Sequence, residues 1–361
     1  MYLKKLNIFH FKNHAEIDFS FSPQVNCFTG PNGSGKTNVL DAIHYLSLCK
    51  SFFTTNDSQN IQDGAAFFTI HGEFELKGLT EDIYCGLKQG QRKIIKRNEK
   101  EYSRLSEHIG LIPLVMIAPA DQTIITGGSE ERRKFLDSII CQADKTYLEN
   151  LTTYQRILMQ RNALLKQLSA NPSMDRNALG IWDDQLSNYA TAIFEARQTF
   201  IAKFQLLVQQ YFEVITNKKE EPGIQYKSQL QQGPIQNLLA SHLSRDLMMQ
   251  YSTVGIHKDD LEFTIDGKHV RRFGSQGQQK SFVVSLKLAQ FQYINQVTGI
   301  KPLLLLDDIF EKLDDDRMNK LLELVSADTF GQLFVTDTHR GRAENIFERL
   351  GKDVIAYHFE L

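Results

Sequence analysis

The chain has 361 residues, enough for two or three domains, and its 42% hydrophobic content is sufficient for a sizeable buried core. Its 41 basic and 43 acidic residues give a net charge of -2, which excludes a general attraction to polyanions, so any nucleic-acid contact must come from a local patch. With neither a secretion signal nor an apolar run near the ~20 residues of a membrane helix, we expect a soluble, cytoplasmic protein with no membrane partner. The scattered cysteines favour reduced thiols over a zinc site or disulfides: Cys27, Cys49, Cys85 and Cys141.

The N-terminal part, residues 1–128, has the residue pattern of strands. Alternating or continuous apolar residues predict strands, in chain order, over 3–9, 17–21, 25–29, within a meander at 67–98, and over 111–118. A glycine-rich turn at Gly30 follows the third strand, and a helix is predicted from there to about Leu48.

Residues 129–223 are predicted to form a helical arm. Leu151, Leu158 and Leu165 are spaced by seven, which is typical of an amphipathic helix, and a second apolar pattern covers residues 182–211. The segment NPSMD separates the two patterns, so we predict an antiparallel helical hairpin. A homodimeric coiled coil is the alternative, although each predicted helix is short for one.

Residues 224–361 return to mixed strands and helices. The pattern predicts a hairpin over 261–273, a helix over 278–297, a strand over 303–306, a helix, a strand over 333–336, a short helix and a last strand over 354–359. This alternation around a glycine-rich turn predicts an α/β fold with a mainly parallel sheet and helices on both faces.

A complete P-loop motif, G-x-x-x-x-G-K-[ST], occupies residues 30–37, between an apolar strand and an amphipathic helix. In this motif backbone N–H groups face the phosphates, Lys36 contacts the β- and γ-phosphates, and the Thr37 hydroxyl ligates Mg²⁺. We therefore predict ATP and Mg²⁺ as cofactors. The predicted ATP-binding residues are Gly30, Pro31, Asn32, Gly33, Ser34, Gly35, Lys36, Thr37 and Asn38.

Two aspartates follow the apolar strand at 303–306. Asp307 is predicted to hold the metal together with Thr37, and Asp308 to polarise the attacking water. A helix cap would explain an isolated Asp-Asp pair, but the P-loop elsewhere in the chain favours the catalytic interpretation.

A second anion site is predicted where Ser275-Gln276-Gly277-Gln278 opens the helix over 278–297. The P-loop already supplies a phosphate site within one subunit. We therefore expect Ser275, Gly277 and Gln278 to reach the nucleotide of a partner subunit, with a plain N-cap as the alternative.

The segment at Ser275 resembles the signature motif of ABC-type ATPases of the chromosome-maintenance and recombination branch, and Leu313-Asp314 resembles their D-loop. Nearly the whole chain resembles the RecF family. The matching segments are LNIFHFKNH, GPNGSGKTNVLDAIHYLS, APADQTIITGGSEERRKFLD, VGIHKDDLEFTIDG, FGSQGQQKS with LKLAQ, and LLLLDDIFEKLDDDR.

This resemblance implies an ABC-type P-loop ATPase head, with a mixed sheet, helices on both faces and an antiparallel β lobe, carrying an inserted α-helical hairpin arm. It implies an ATPase that binds single- and double-stranded DNA at gaps, dimerises on ATP and is released by slow hydrolysis. It further implies partnership with RecO and RecR in loading recombinase, in DNA repair, replication restart and the SOS response.

By position, the resemblance assigns Lys36, Asp308 and Ser275 to catalysis. Asp308 stands where most ABC ATPases have Glu. At the loop that carries a sensing Gln in those enzymes, this chain offers Asp121, and Asp337 and His339 lie near the position of the switch histidine.

Cations concentrate in two places. The first cluster, on a predicted hairpin, includes Arg92, Lys93, Lys96 and Arg97, and the second, at the start of the arm, includes Arg132 and Arg133. Since aromatic residues do not interleave with these cations, they favour phosphate contacts without base readout. Two alternatives remain: lysines that guard an exposed sheet edge, and pairing of Arg132 and Arg133 with Glu130 and Glu131.

Three other functions compete with the DNA-binding ATPase, of which a nuclease fused to such a head lacks any acidic metal cluster in the sequence beyond Asp307 and Asp308. A transporter motor subunit would need a shorter interval between P-loop and signature, and a structural clamp of the chromosome-maintenance type would need a far longer arm. DNA-stimulated ATP hydrolysis separates the first function from the transporter motor.

Overall fold

The computed structural model describes residues 1–171, 173–217, 220–311 and 315–360. Within these ranges the strands, β1 to β14 in chain order, are Tyr2–Phe11, His14–Ser20, Val25–Thr29, Phe67–Leu76, Leu79–Lys88, Ile94–Arg97, Lys100–Glu101, Leu114–Ile117, Pro222–Lys227, Asp260–Ile265, Lys268–His269, Leu303–Leu306, Leu333–Asp337 and Val354–His358. The α-helices, α1 to α10, are Lys36–Leu48, Thr123–Thr126, Ser129–Ala143, Lys145–Ala170, Leu179–Thr216, Ile235–Met249, Val270–Phe273, Gln276–Thr298, Asp315–Ser326 and Arg342–Arg349.

Contacts between residues divide the chain into two compact units. The first unit consists of Met1–Asp121, Tyr211–Lys218 and Lys280–Leu361, and the second of Gln122–Gln210 and Lys219–Gln279. The sequence-based division into domains at residues 1–128, 129–223 and 224–361 stays a prediction. The two units defined by contacts have different boundaries.

The first unit contains a five-stranded parallel sheet in the order β14-β3-β13-β12-β8. The four strands other than β14 are short, mainly apolar and buried along their whole length, as is typical of strands covered on both faces. Helix α1 packs against β8 and β13, and α10 packs against β3, β13 and β14. The carboxyl ends of β3, β12 and β13 meet at one edge of this sheet.

A six-stranded antiparallel sheet, in the order β2-β1-β4-β5-β6-β7, completes the first unit. In β4 and β5 buried residues alternate with more exposed ones, which is typical of a sheet with one covered face. The buried side chains of this sheet, of α1 and of one face of the parallel sheet share a single core that includes Ile8, Leu40, Phe68, Ile83 and Phe334. This core fixes α1, whose first two residues, Lys36 and Thr37, belong to the P-loop motif.

The second unit is built around the hairpin of α4 and α5, with α3, α6 and a small antiparallel sheet in the order β11-β10-β9. Two arginines of this unit, Arg161 and Arg197, are almost completely buried, at 0% and 1% exposure. Arg161 on α4 pairs with Asp246, with 2.7 Å between nitrogen and oxygen, and Arg197 on α5 pairs with Asp259, also at 2.7 Å. Because breaking a buried ion pair is costly, these contacts tie the hairpin helices to the segments that carry the two aspartates.

The predicted strands and long helices are present, with bounds that differ by a few residues. The sequence analysis did not predict α3 as a separate helix, nor the helices α2, α6 and α7, nor the strands β7 and β9. The expected hairpin ends at His269, because Val270 turns into the buried first position of the short helix α7. The proposed D-loop, Leu313-Asp314, lies outside the described residues.

Two further properties bear on the sequence-based expectations. No helix in the described part of the chain is long and apolar enough to cross a membrane. All four cysteines are free thiols, of which Cys27, Cys49 and Cys85 are buried.

Candidate nucleotide-binding site

The P-loop turn depends on backbone conformations that favour glycine. Gly30, Gly33 and Gly35 have φ angles of 146°, 85° and 100°. At Gly30 a side chain would also collide with the backbone carbonyl of Phe359, which follows β14. Gly35 is the N-cap of α1, so the unpaired N–H groups of the first helical turn begin immediately after it.

Lys36 lies in this turn with its side chain largely buried. Its Nζ donates hydrogen bonds to the carbonyl oxygens of Gly30 and Pro31, both at 2.7 Å. Burial lowers the pKa of Lys36, and the carboxylates of Asp307 and Asp308 oppose that shift. The loop carbonyls therefore hold the ammonium group in place, and the carboxylates of Asp308 and Asp307 are near it.

Asp307 joins the P-loop to the parallel sheet. Its Oδ1 accepts hydrogen bonds from the hydroxyl of Thr37 at 2.9 Å and from that of Thr336, at the end of β13, at 2.8 Å. Its backbone N–H donates to the carbonyl of Ile117 at 2.8 Å. Burial raises the pKa of Asp307, whereas the two hydroxyl donors lower it.

Asp308 is the next residue and has a left-handed backbone, with φ of 47°. Its backbone N–H donates to the Thr336 hydroxyl at 2.9 Å, so one threonine fixes both aspartates. Its side chain lines a pocket of about 180 Å³. The pocket is lined by Asn32, Gly33, Gly35, Lys36, Thr37, Asn38, Asp308, Thr336 and Thr338.

The oxygen atoms at this site fit Mg²⁺, which prefers oxygen ligands in proteins. Thr37 and Asp307 contribute a hydroxyl and a carboxylate oxygen that are 2.9 Å apart. The Ser34 hydroxyl is buried and has no hydrogen-bond partner within the described ranges, which is unusual for a buried polar atom. The structure thus brings together the two predicted metal ligands.

The turn between β1 and β2 braces the P-loop, a contact that the sequence analysis did not predict. The Asn13 side chain accepts a hydrogen bond from Asn38 Nδ2 at 2.7 Å, and the His14 ring lies 3.0 Å from the Gly35 carbonyl oxygen. Both residues belong to the segment LNIFHFKNH, which is one of the segments that resemble the family. That resemblance is the feature of the sequence that could have indicated their role. Burial lowers the pKa of His14.

The positions considered for sensing and switching have other partners. Asp121 is buried and pairs with Lys287 at 2.8 Å, and its Oδ2 accepts the N–H of Ala118. The following residue, Gln122, was not considered, and in the second unit its amide donates to the Gln279 side chain at 2.8 Å. Because Gln122 directly follows Asp121 in the sequence, it could have been considered as the sensing glutamine.

At the end of β13, Asp337 is buried and accepts two hydrogen bonds from the Arg342 guanidinium. His339 is exposed, and its ring lies 2.9 Å from the Thr338 hydroxyl. Thr338 lines the pocket, whereas neither Asp337 nor His339 does.

Ser275 caps α8 and is exposed. Its hydroxyl accepts the N–H of Gln278 at 3.2 Å, and the Gln278 side chain accepts the N–H of Ser275 at 2.7 Å, an exchange known as a capping box. The Gln278 amide also donates to Glu220 at 2.7 Å. Ser275 is therefore an N-cap residue, as the alternative interpretation predicts. Because its side chain is exposed, it is also accessible to a ligand.

Three of the six candidate DNA-binding cations are already paired. Lys93 forms an ion pair with Asp57 at 2.7 Å, and Arg97 binds Glu81 through two hydrogen bonds. Arg132 binds Asp260 in the same bidentate way, a different partner from the expected Glu130 or Glu131. Charge alone therefore overstates the cationic surface.

The other three cations differ in accessibility. Arg133 donates to the backbone carbonyl of Asp259 at 2.6 Å. Arg92 is exposed, and the Lys96 ammonium lies 5.6 Å from the centre of the Tyr84 ring. Within β6, Lys96 lies over Tyr84 and the next residue, Arg97, binds Glu81, so the two side chains point to opposite faces as strand alternation predicts, whereas Arg92 and Lys93 precede the strand.

Comparisons with known proteins agree with the geometry. Residues 2–353 match the family described as the RecF/RecN/SMC N terminal domain. The chain is 48% identical to the DNA replication and repair protein RecF of Flavobacterium johnsoniae, with 96% of each chain covered. It is 45% identical to that of Parabacteroides distasonis, with 100% of this chain and 98% of the relative covered.

Solved structures show the same fold. A structure of the recombination mediator protein RecF with ATP is 30% identical, covers 94% of this chain and 93% of that one, and gives a TM-score of 0.88. An Smc head, 15% identical with a TM-score of 0.57, shares the fold. The sequence-based interpretation as an ABC-type ATPase head with an inserted helical arm is confirmed, and the chain belongs to the RecF family of DNA replication and repair proteins.

Proposed function

We propose that the chain binds ATP and Mg²⁺ in its P-loop pocket, dimerises on ATP and binds gapped DNA, from which slow hydrolysis releases it. In the cytoplasm it would act with RecO and RecR in loading recombinase, and it would support the SOS response. The observation that carries the nucleotide assignment is the 2.9 Å hydrogen bond between Thr37 and Asp307, which joins the two halves of a phosphate and metal site beside a pocket. The ATP in the solved structure of a RecF relative supports the same assignment.

Each residue has a distinct task in this proposal. Lys36 and the N–H groups at the start of α1 bind the phosphates, and Thr37 and Asp307 would hold Mg²⁺. When bound, Mg²⁺ neutralises charge that develops on the phosphate oxygens. Asp308 orients the attacking water and accepts its proton, while the Thr336 hydroxyl keeps the two aspartates in register.

The site is completed by a second copy of the chain in this proposal. Ser275 is exposed and stands at the N-terminus of α8, a helix of 23 residues, where hydroxyl and backbone N–H groups favour an anion. The anion that we assign to it is the γ-phosphate of ATP bound by the partner subunit. Gly277 and Gln278 belong to the same first turn.

Mixing two inactive variants tests this shared site. We expect Lys36→Ala and Ser275→Arg each to lack ATPase activity, and their mixture to regain part of it. A mixed dimer has one pocket with an intact P-loop from one subunit and an intact signature from the other. The measurement is steady-state ATP hydrolysis at a fixed total concentration of chain.

The control for folding is Ser275→Asn, which keeps an N-cap side chain but removes the hydroxyl. Circular dichroism of all variants should match that of the wild type. If the folded Lys36 and Ser275 variants regain no activity on mixing, the shared site is wrong.

DNA contact through the first cation cluster is tested by salt dependence. We expect reversal of charge at Arg92 and Lys96 to reduce the slope of log affinity against log salt by about 0.9 per lost duplex phosphate contact. Arg97 is left unchanged, because its reversal would break the pair with buried Glu81. The measurement is fluorescence anisotropy of a gapped duplex over a range of salt concentrations.

The matched control reverses two exposed lysines of the same unit, Lys50 and Lys77, and so changes the net charge by the same amount. An unchanged slope in the Arg92 and Lys96 variant would move the DNA contact away from this hairpin.

A further inference from the structure

The sequence around the signature is exceptionally free of acidic residues. No Asp or Glu occurs between Asp266 and Asp307, although the chain as a whole contains slightly more acidic than basic residues. We call residues 268–273 of this stretch, Lys-His-Val-Arg-Arg-Phe, the basic segment. It comprises strand β11 and helix α7 of the second unit.

The basic segment is held by one buried anchor and otherwise exposed. Val270 is 1% exposed, whereas the side chains on both sides of it face solvent. Strand β11 is at the edge of its sheet. Gln279 in the first turn of α8 donates to the carbonyl oxygens of Val270 and Gly274, at 3.3 and 3.2 Å, which ties the segment to the helix that Ser275 caps.

The three cations of the basic segment lack acidic partners in the part of the chain that the structure describes. Within the described residues, Lys268, Arg271 and Arg272 have no acidic side chain within 4.0 Å. The acidic residues of the neighbouring strand β10 are already engaged: Asp260 binds Arg132, and Glu262 pairs with Lys227. Other acidic groups also have partners, since Glu220 accepts from Gln278 and Asp266 accepts the backbone N–H of Glu221.

The segment ends in an exposed aromatic ring. Phe273 is 59% exposed, and the guanidinium carbon of Arg272 lies 5.2 Å from the centre of its ring. An accessible ring beside a cation is the arrangement by which proteins stack bases of single-stranded DNA while neutralising the neighbouring phosphates. The hairpin around Arg92 also has a cation near a ring, Lys96 near Tyr84, but Tyr84 is half-buried, whereas the ring of Phe273 is exposed.

We propose that the basic segment binds single-stranded DNA, with Lys268, Arg271 and Arg272 on successive phosphates and Phe273 stacked on a base. The proposal rests on the DNA-binding function proposed above and names a contact surface for it. Phe273 precedes Ser275 by only two residues, so DNA bound here would lie beside the cap of the signature helix.

The test measures binding of a fluorescent oligothymidylate to the full chain by anisotropy over a range of salt concentrations. We expect Arg271→Glu with Arg272→Glu to weaken binding at least about tenfold and to reduce the salt slope by roughly 1.4, at about 0.7 per single-strand phosphate. The matched control is Lys166→Glu with Lys203→Glu, two exposed lysines on helices of the same unit. The control should retain the wild-type slope.

A second variant tests the ring independently of charge. Phe273→Ala should weaken binding to the oligothymidylate about fivefold or more and leave binding to a blunt duplex as in the wild type, because stacking needs an unpaired base. Phe273→Trp should restore the single-strand affinity.

The outcomes separate this proposal from the broader function. If wild-type chain binds neither oligothymidylate nor gapped duplex, the proposed function fails, and this inference fails with it. If wild type binds but the arginine variant binds with the same slope, only the basic segment is wrong. Loss of ATP-dependent dimerisation without DNA, with oligothymidylate binding unchanged, would assign the arginines to the partner's nucleotide and overturn the proposal.

Discussion

Lys36→Ala is expected to abolish detectable ATP binding. The Lys36 ammonium is buried in the P-loop turn, 2.7 Å from two backbone carbonyl oxygens, and the residue lines the pocket in which we propose that the phosphates bind. Removing one partner of a desolvated charged contact costs about 2–5 kcal/mol, so the affinity should fall about 30-fold to several thousand-fold. Isothermal titration calorimetry with ATP and Mg²⁺ measures the change.

The matched control is Lys50→Ala, which removes an exposed lysine just beyond α1, outside the pocket. It should bind ATP as the wild type does. ATP binding of normal affinity by Lys36→Ala would contradict the phosphate assignment of the whole turn, because Gly30, Gly33 and Gly35 shape it around this side chain.

The P-loop and Asp307 could be predicted because their signals are local. The P-loop is a glycine-rich turn between an apolar strand and a helix, and Asp307 directly follows an apolar strand. Each of these patterns consists of consecutive residues in the sequence. The strand register then brings the two together, as the edge of a parallel sheet requires. The hydrogen-bond partners of Thr336 and Asn13 could not be predicted, since no local pattern reveals them, although Asn13 lies in a segment of the family pattern.

The charged surface shows the same limit more strongly. In the sequence, the cluster containing Lys93 and Arg97 indicates a cationic hairpin. In the structure, Arg97 is paired with Glu81 on the adjacent strand. Arg132 finds its carboxylate 128 residues away, at Asp260. A sequence displays charges, whereas the fold decides which of them remain available for a ligand.

The backbone at Asp308 adds information that bears directly on its chemistry. Its φ of 47° is in the left-handed region, which Asp and Asn tolerate better than other residues with side chains. The Glu found at this position in most ABC ATPases would be more strained on this backbone. The backbone conformation thus gives a physical reason for Asp rather than Glu at position 308. The sequence alone shows only that this residue differs from the one in most ABC ATPases.

The same conformation makes Asp308→Asn the cleanest test of catalysis. Asn keeps the size and the left-handed backbone, but its amide cannot accept a proton from the attacking water. We expect ATP binding to persist and hydrolysis to fall about 10²- to 10⁴-fold, the contribution typical of a positioned general base. With binding intact and turnover blocked, ATP should hold the chain as a dimer.

Single-turnover hydrolysis and sedimentation velocity with ATP measure the two effects on the same preparation. The control, Asp63→Asn, makes the same chemical change at an exposed aspartate outside the pocket and should leave both unchanged. If Asp308→Asn hydrolyses ATP at the wild-type rate, Asp308 is not the base. If it binds ATP yet sediments only as a monomer, dimerisation does not depend on bound ATP in the proposed way. Because Asp308 shares Thr336 with Asp307, a fall in Mg²⁺-dependent binding would instead place the defect in the metal site.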